Sequence, residues 1–254
     1  MIDDAGNRMD SAKRAVRAFF MCLGMFTSIP CPWRPWDEDA RGMMLVMLPV
    51  VGAAIGLLWA GLSLLARAWL PLALGAAVIA ALPFVLTGFI HLDGFMDTCD
   101  AMLSWRPLEK RLEILKDSHT GSYAVVSVAL LMMFSFAAAQ GPINVKALAL
   151  VPIISRCGSA FAVLSLKPIG HSEYAQMESR TAQQLAVVAI WLITMIAGVH
   201  WLGASAAALM VETLAYFAAM AWVVRTLKGV SGDLAGFALT MSEGCALVAL
   251  AVIG

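Results

Sequence analysis

Long unbroken blocks of apolar side chains are the first thing this chain must place. A helix needs about 20 mainly apolar residues to cross the hydrocarbon of a bilayer. Met43–Ala66 and Ala68–Ile90 reach that length, Tyr123–Gln140 lies near its lower limit, and Val145–Leu166 reaches it despite Arg156. Leu185–Leu202, Gly203–Val224 and Gly236–Gly254 complete the series. Hydrophobic residues make up 61% of the chain and charged ones 13%, against about 45–50% and 25% in soluble domains. That excess has no soluble core to enter. The blocks are too long for the strands of an outer-membrane barrel and lack their alternation. The expectation is an all-α, polytopic integral membrane bundle, one domain over residues 1–254 with about seven spans.

Residues 1–41 read differently. Asp3, Asp4 and Asp10 argue against a secretory leader, which wants a basic start. Lys13, Arg14 and Arg17 precede Ala18–Ile29, a stretch too short to span and expected to form an interfacial or re-entrant helix. Pro30, Pro32 and Pro35 end it, and Trp33 and Trp36 suit headgroup level. Nearly all Lys and Arg fall in residues 1–42, 91–122, 167–184 and 225–235, whereas the opposite loops hold only Arg67 and Lys146. By the positive-inside rule the N-terminus and the loop at 91–122 face the cytoplasm. The formal net charge is zero, which gives no electrostatic case for nucleic acid as a partner. Five cysteines without metal-site spacing read as free thiols packed as small hydrophobes.

The chemistry concentrates at His91–Asp100. Asp93, Asp97 and Asp100 stand at i, i+4 and i+7, within about 60° of arc on one helix face. No Lys or Arg is interleaved, so the carboxylates repel unless a cation sits among them. Hard oxygen ligands suit Mg²⁺, which takes one or two carboxylates plus substrate phosphate oxygens. His91, beside the cluster, is a candidate general base, with a structural hydrogen-bonding role the alternative. Lys116, Asp117 and Ser118 form a second polar group, able to contact phosphate or simply an ordinary helix-ending loop. Gly232 and Asp233 belong to a third, whose glycines leave backbone N–H groups for an anion. Arg156 and Glu243 lie inside spans, where they either face a polar cavity or pair with each other. Together the clusters point to a Mg²⁺–diphosphate site at the cytoplasmic surface, with loop 91–122 as its catalytic segment. Asp233 is expected to join the three aspartates in space.

At these residues the chain resembles the cobalamin synthase family, the adenosylcobinamide-GDP ribazoletransferases. The family pattern T-G-G-x-H-L-D-G-x-x-D-x-x-D reads here Thr87-Gly88-Phe89-Ile90-His91-Leu92-Asp93-Gly94-Phe95-Met96-Asp97-Thr98-Cys99-Asp100. K-D-S-x-x-G is Lys116 to Gly121, and G-x-x-G-D-x-x-G is Gly229, Gly232, Asp233 and Gly236. An early F-x-T-x-x-P-x-P is met less strictly from Phe26 to Pro32, and a P followed by R is met by Pro152 and Arg156. Ser28 stands where the family often has Arg, Ala101 and Ala124 where it has Gly, and Thr240 where Glu is frequent.

The resemblance implies a Mg²⁺-dependent transfer of cobinamide phosphate from adenosylcobinamide-GDP to α-ribazole or its 5′-phosphate, with release of GMP. It implies Asp93, Asp97 and Asp100 as metal ligands and catalytic residues, with His91 beside them. Lys116, Asp117, Ser118, Arg156, Gly232 and Asp233 would contact substrate. The setting would be the bacterial inner membrane, and a homo-oligomer or association with other cobalamin-assembly enzymes is compatible with it. The rival readings are another Mg²⁺ membrane transferase, of the CDP-alcohol phosphotransferase or prenyltransferase type, and a transporter. A transporter would need ionisable groups near mid-membrane on several spans.

Overall fold

The computed structural model describes residues 2–169 and 180–253, so residues 170–179 of the expected loop at 167–184 lie outside the described part. In chain order the helices are α1 (Ile2–Phe26), α2 (Arg41–Trp69), α3 (Leu72–Leu86), α4 (Ile90–Leu103), α5 (Leu108–Ile114), α6 (Ser122–Ala139), α7 (Val151–Ser165), α8 (Arg180–Leu202), α9 (Ala207–Leu227) and α10 (Gly232–Ile253). Among the described residues there is no strand; Pro168 and Val230 make one isolated bridge. Five helical stretches are long and apolar enough to cross a membrane, and α3 with α4 makes a sixth only if the two count as one bent span. One of the five, Arg180–Leu227, doubles back at Gly203, where φ is +58°. Trp191 of α8 donates to Thr213 of α9 at 3.2 Å, so this stretch is a helical hairpin. The chain is a multi-pass membrane protein.

α7 packs against α2, α8, α9 and α10. Its buried positions include Ser155, Cys157, Gly158, Ser159 and Ala160, small side chains that let neighbouring backbones approach where lipid offers no hydrophobic drive. Large apolar side chains point outward instead: Leu57, Leu64, Ile193, Ile196 and Val199 are all more than half exposed, as lipid contact requires. Polar bonds tie the two ends of the bundle separately. At one end Ser28 N–H donates to Leu86 O at 2.9 Å, and Gln183 Nε2 to Gly42 O at 2.9 Å. At the other, Arg67 donates to the carbonyls of Ala139 and Gly141, a cation at the C-terminus of α6. Asn144 reaches Ser205 at 3.2 Å on that same end.

Two expectations need correction. The N-terminal helix is not confined to Ala18–Ile29: it runs Ile2–Phe26 and takes in Lys13, Arg14 and Arg17, whose straight-chain residue types favour helix. It ends before Pro30, and the segment after it is pinned to the end of α3 through Ser28 and back to α1 through the Arg17–Asp37 ion pair at 2.6 Å. The second apolar block does not run straight to Ile90. α3 stops at Leu86, and α4 leaves at 91° to it. The elbow is built from Thr87, whose hydroxyl returns to Pro83 O at 2.8 Å, and from two left-handed residues, Gly88 at φ +59° and Phe89 at φ +64°. Glycine adopts that conformation freely, whereas for Phe89 it costs about 1–2 kcal/mol. α4, at right angles to α3 and only 14 residues long, packs chiefly against α10 and α6.

Candidate active site

α4 presents Asp93, Asp97 and Asp100 on one side and packs its opposite side on α10. At 100° per residue the three carboxylates fall within about 60°, as the spacing predicts. Asp93 is exposed and Asp97 part-buried. Asp233, in the first turn of α10, comes to the same place. Its backbone lies so close to Gly94 that a Cβ there would stand 2.7 Å from Asp233 Cα and 2.9 Å from its carbonyl oxygen. Only glycine permits that contact, and the contact brings the Asp233 carboxylate into electrostatic range of Asp93 and Asp97. The Asp97 carboxyl is pushed up to about 6, first by burial and then by the charges of Asp93, Asp233 and Asp100.

Asp100 is turned to another task. Its Oδ2 accepts from Gly121 N–H at 2.6 Å and its Oδ1 from Ala124 N–H at 2.9 Å, so it caps the N-terminus of α6 from another helix. A negative charge there also meets the positive end of the helix dipole. Each oxygen keeps a free lone pair, but the bonds hold Asp100 in place. Among the described residues no three His, Cys, Asp or Glu side chains converge into a ready-made cage. An open site of two or three carboxylates that leaves coordination positions to the substrate is the donor set that Mg²⁺ accepts.

The remaining predicted residues divide. Gly232 stands beside Asp233 at the start of α10, as expected. His91 does not face the aspartates: it lies about 180–240° around α4 from them, stacked on Phe26 at 6.1 Å and packed against Gly236. Neighbours in sequence thus point to opposite sides of one helix. Lys116, Asp117 and Ser118 are exposed in the turn before α6, and among the described residues no ion pair joins Lys116 to the aspartates. Asp117 instead holds His119 at 2.6 Å, which lowers the Asp117 carboxyl and raises the His119 imidazole.

Arg156 is far from any surface. It is fully buried, with NH1 donating to Glu243 Oε1 at 2.7 Å and to Pro152 O at 3.2 Å, while Ser155 Oγ donates to the same Glu243 oxygen at 2.8 Å. Of the two alternatives open in the sequence, mutual pairing is what the fold adopts. Glu212 of α9, not singled out from the sequence, is fully buried nearby, and neither of its carboxylate oxygens has a hydrogen-bond partner among the described residues. Its signal was present: a lone carboxylate within an apolar block is as costly in lipid as Arg156 or Glu243.

The chain is matched over residues 18–251 by the family described as cobalamin-5-phosphate synthase. An adenosylcobinamide-GDP ribazoletransferase of Clostridium perfringens is 34% identical over 246 residues, covering 93% of this chain and 98% of that protein. One from Clostridium botulinum is 33% identical over 240 residues, 91% of this chain and 95% of the relative. One from Pseudomonas fluorescens is 31% identical over 244 residues, 92% and 98%. No solved structure matches.

Proposed function

This chain belongs to the cobalamin-5-phosphate synthase family, and from that premise we propose that it transfers the cobinamide-phosphate moiety of adenosylcobinamide-GDP to α-ribazole or its 5′-phosphate, with Mg²⁺ at the aspartate face. It is an enzyme of cobalamin synthesis with adenosylcobinamide-GDP ribazoletransferase activity. In the proposed reaction a hydroxyl of the acceptor attacks the cobinamide-side phosphorus, the bond from that phosphorus to the oxygen of GMP breaks, and GMP leaves.

One observation carries this reading: Asp93, Asp97 and Asp233 come within electrostatic range of one another although α4 and α10 lie far apart in the chain. Such a face repels a diphosphate by itself. Asp93 and Asp97 would hold the metal, with Asp233 as the third carboxylate and the second lone pairs of Asp100 at its edge. When bound, Mg²⁺ neutralises the diphosphate oxygens and the charge that builds on the leaving GMP. Gly94 sets the distance between the two helices, and Asp100 fixes α6 against α4. Ser231 takes the N–H groups of Leu234 and Ala235 in the first turn of α10, and the positive end of that helix dipole lies beside Asp233. The Lys and Arg bias supports a cytoplasmic setting for this end, and the proposed setting is the bacterial inner membrane. An impermeant thiol reagent should therefore label Ser104→Cys only after the cells are opened.

The direct test is GMP release from adenosylcobinamide-GDP by the purified protein in nanodiscs. Release should require α-ribazole or its phosphate and should stop on chelation of Mg²⁺. Steady release with neither acceptor nor metal would refute the proposal.

A further inference from the structure

An apolar groove of about 700 Å³ lies behind α4, between α6, α9 and α10. It runs along α10 from Phe237 to Ile253, about 24 Å at 1.5 Å per residue. None of its described lining residues is charged. Phe95, Cys99 and Met102 of α4 line one end, on the face opposite Asp93 and Asp97. The rim is open to lipid, with Leu130, Phe134 and Val252 exposed. The α4 end of the groove is basic. Arg106 follows the lining residue Leu103 by three positions, and Arg225 follows the lining residue Trp222 by about one turn of α9. α5 packs on both α4 and α9, so the two arginines flank the same end. Both are exposed, and neither side chain has an ion pair among the described residues. Trp105, beside Arg106, is 83% exposed, which suits headgroup level.

We propose that this groove seats an acyl chain of an anionic phospholipid, whose headgroup phosphate meets Arg106 and Arg225. An apolar slot with unpaired guanidinium groups at one end complements a molecule with an anionic head and an apolar tail. At about 24 Å the groove exceeds the roughly 15 Å depth of one leaflet, so a whole chain fits along it. The Lys and Arg bias supports a cytoplasmic setting for this end, and the cytoplasmic leaflet carries the anionic lipids. A second copy of the chain fits less well. Helices in lipid close on small residues, as α7 does, whereas Leu130, Phe134 and Val252 at the rim are bulky. The seated chain would press on Phe95 and Met102 and so brace α4 from the side opposite its carboxylates.

The test is native mass spectrometry of the full-length, delipidated protein in detergent, titrated with phosphatidylglycerol and with phosphatidylcholine of the same chains. One phosphatidylglycerol should bind saturably, about tenfold more tightly than phosphatidylcholine. Arg106→Gln combined with Arg225→Gln should remove that preference. Arg106→Lys combined with Arg225→Lys keeps the charge, guards against a folding defect and should retain most of it. Ala249→Phe, which fills the groove, should weaken both lipids. Asp97→Asn, on the other face of α4, should bind as wild type does. Adducts that never saturate, a preference indifferent to both arginines, or binding untouched by Ala249→Phe would reveal only the ordinary lipid shell and overturn the assignment. A dimer broken by Ala249→Phe would give the groove to a second copy and overturn it as well. No substrate is present in these titrations, so their outcome is separate from GMP release and from the transferase reading.

Discussion

Two groups of ionisable side chains in this bundle meet the cost of charge near lipid in opposite ways. In the interior, Arg156 and Glu243 sit 2.7 Å apart with Ser155 on the same oxygen, shielded from solvent, and Glu212 close by. At the end of the bundle, Asp93, Asp97 and Asp233 share one sign, with no cation among the described side chains paired to them. The interior pair is joined through Arg156 NH1 alone, and Arg156 Nε and NH2 have no hydrogen-bond partner among the described residues. The surface group has no counter-charge among the described side chains, and the Mg²⁺ proposed above would supply one. The contrast separates charge paired between helices from charge with no protein partner among the described residues, and it places Arg156, which the motif implied as a substrate contact, in the interior on Glu243.

The largest effect should come from breaking the interior pair. Arg156→Ala strands the Glu243 carboxylate and should cost about 3–5 kcal/mol of stability. Denaturation in detergent should show it, and GMP release per folded molecule should stay near wild type. A well-folded Arg156→Ala protein with no turnover would erase the distinction between the two groups. Asp97→Asn is the mirror case. It relieves repulsion, so stability should hold or rise, while turnover falls by about 10²–10³. Added Mg²⁺ should restore part of the rate, and wild-type turnover at every Mg²⁺ level would reduce the aspartates to a solvated helix face.

Gly94→Ala probes the joint between α4 and α10. Its methyl has no room against the Asp233 backbone, and overpacking of this kind costs about 1–3 kcal/mol. Turnover should fall with it, because Asp233 is pushed away from Asp97. Unchanged melting and rate would show the helices part freely. Phe89→Gly should act the other way, adding about 1 kcal/mol of stability by relieving the left-handed strain at the elbow.

The smallest effect is electrostatic. Asp117 raises the His119 imidazole above its ordinary value, chiefly through their hydrogen bond. The stabilisation from His119 is therefore complete below about 6.5 and is lost as pH rises through the folded value. The lowered Asp117 carboxyl contributes above about 3.8 and loses its contribution as pH falls through its own folded value. The His119 NMR titration should return towards about 6.5 in Asp117→Asn. No change on substitution would remove the pair.

The sequence made most of this legible where the signal was local. Apolar runs located the helices, and the spacing of Asp93, Asp97 and Asp100 put them on one face. What it could not carry was direction and partnership. Asp100 caps α6 because residues 104–120 return the chain to it, which no spacing records. His91 adjoins the aspartates in sequence, and helical rotation turns it away. Asp233 was anticipated from three glycines, but only the fold shows that Gly94, on the other helix, makes the room. Glu212 escaped because one acid among apolar residues breaks no periodicity.

The elbow at Gly88–Phe89 carries a consequence for the membrane itself. α3, with 15 residues, is about 22 Å long, while the hydrocarbon layer is about 30 Å thick. Longer helices such as α2 clear the layer, but α3 cannot hold its elbow at the same height. Either the lipid thins around it or α4 rides low among the headgroups, whose phosphates would then compete for the proposed cation. The length of α3 gives an expected outcome: GMP release should be faster in nanodiscs of short-chain lipids, where the aspartate face stands clear, than in thick ones, where it sinks.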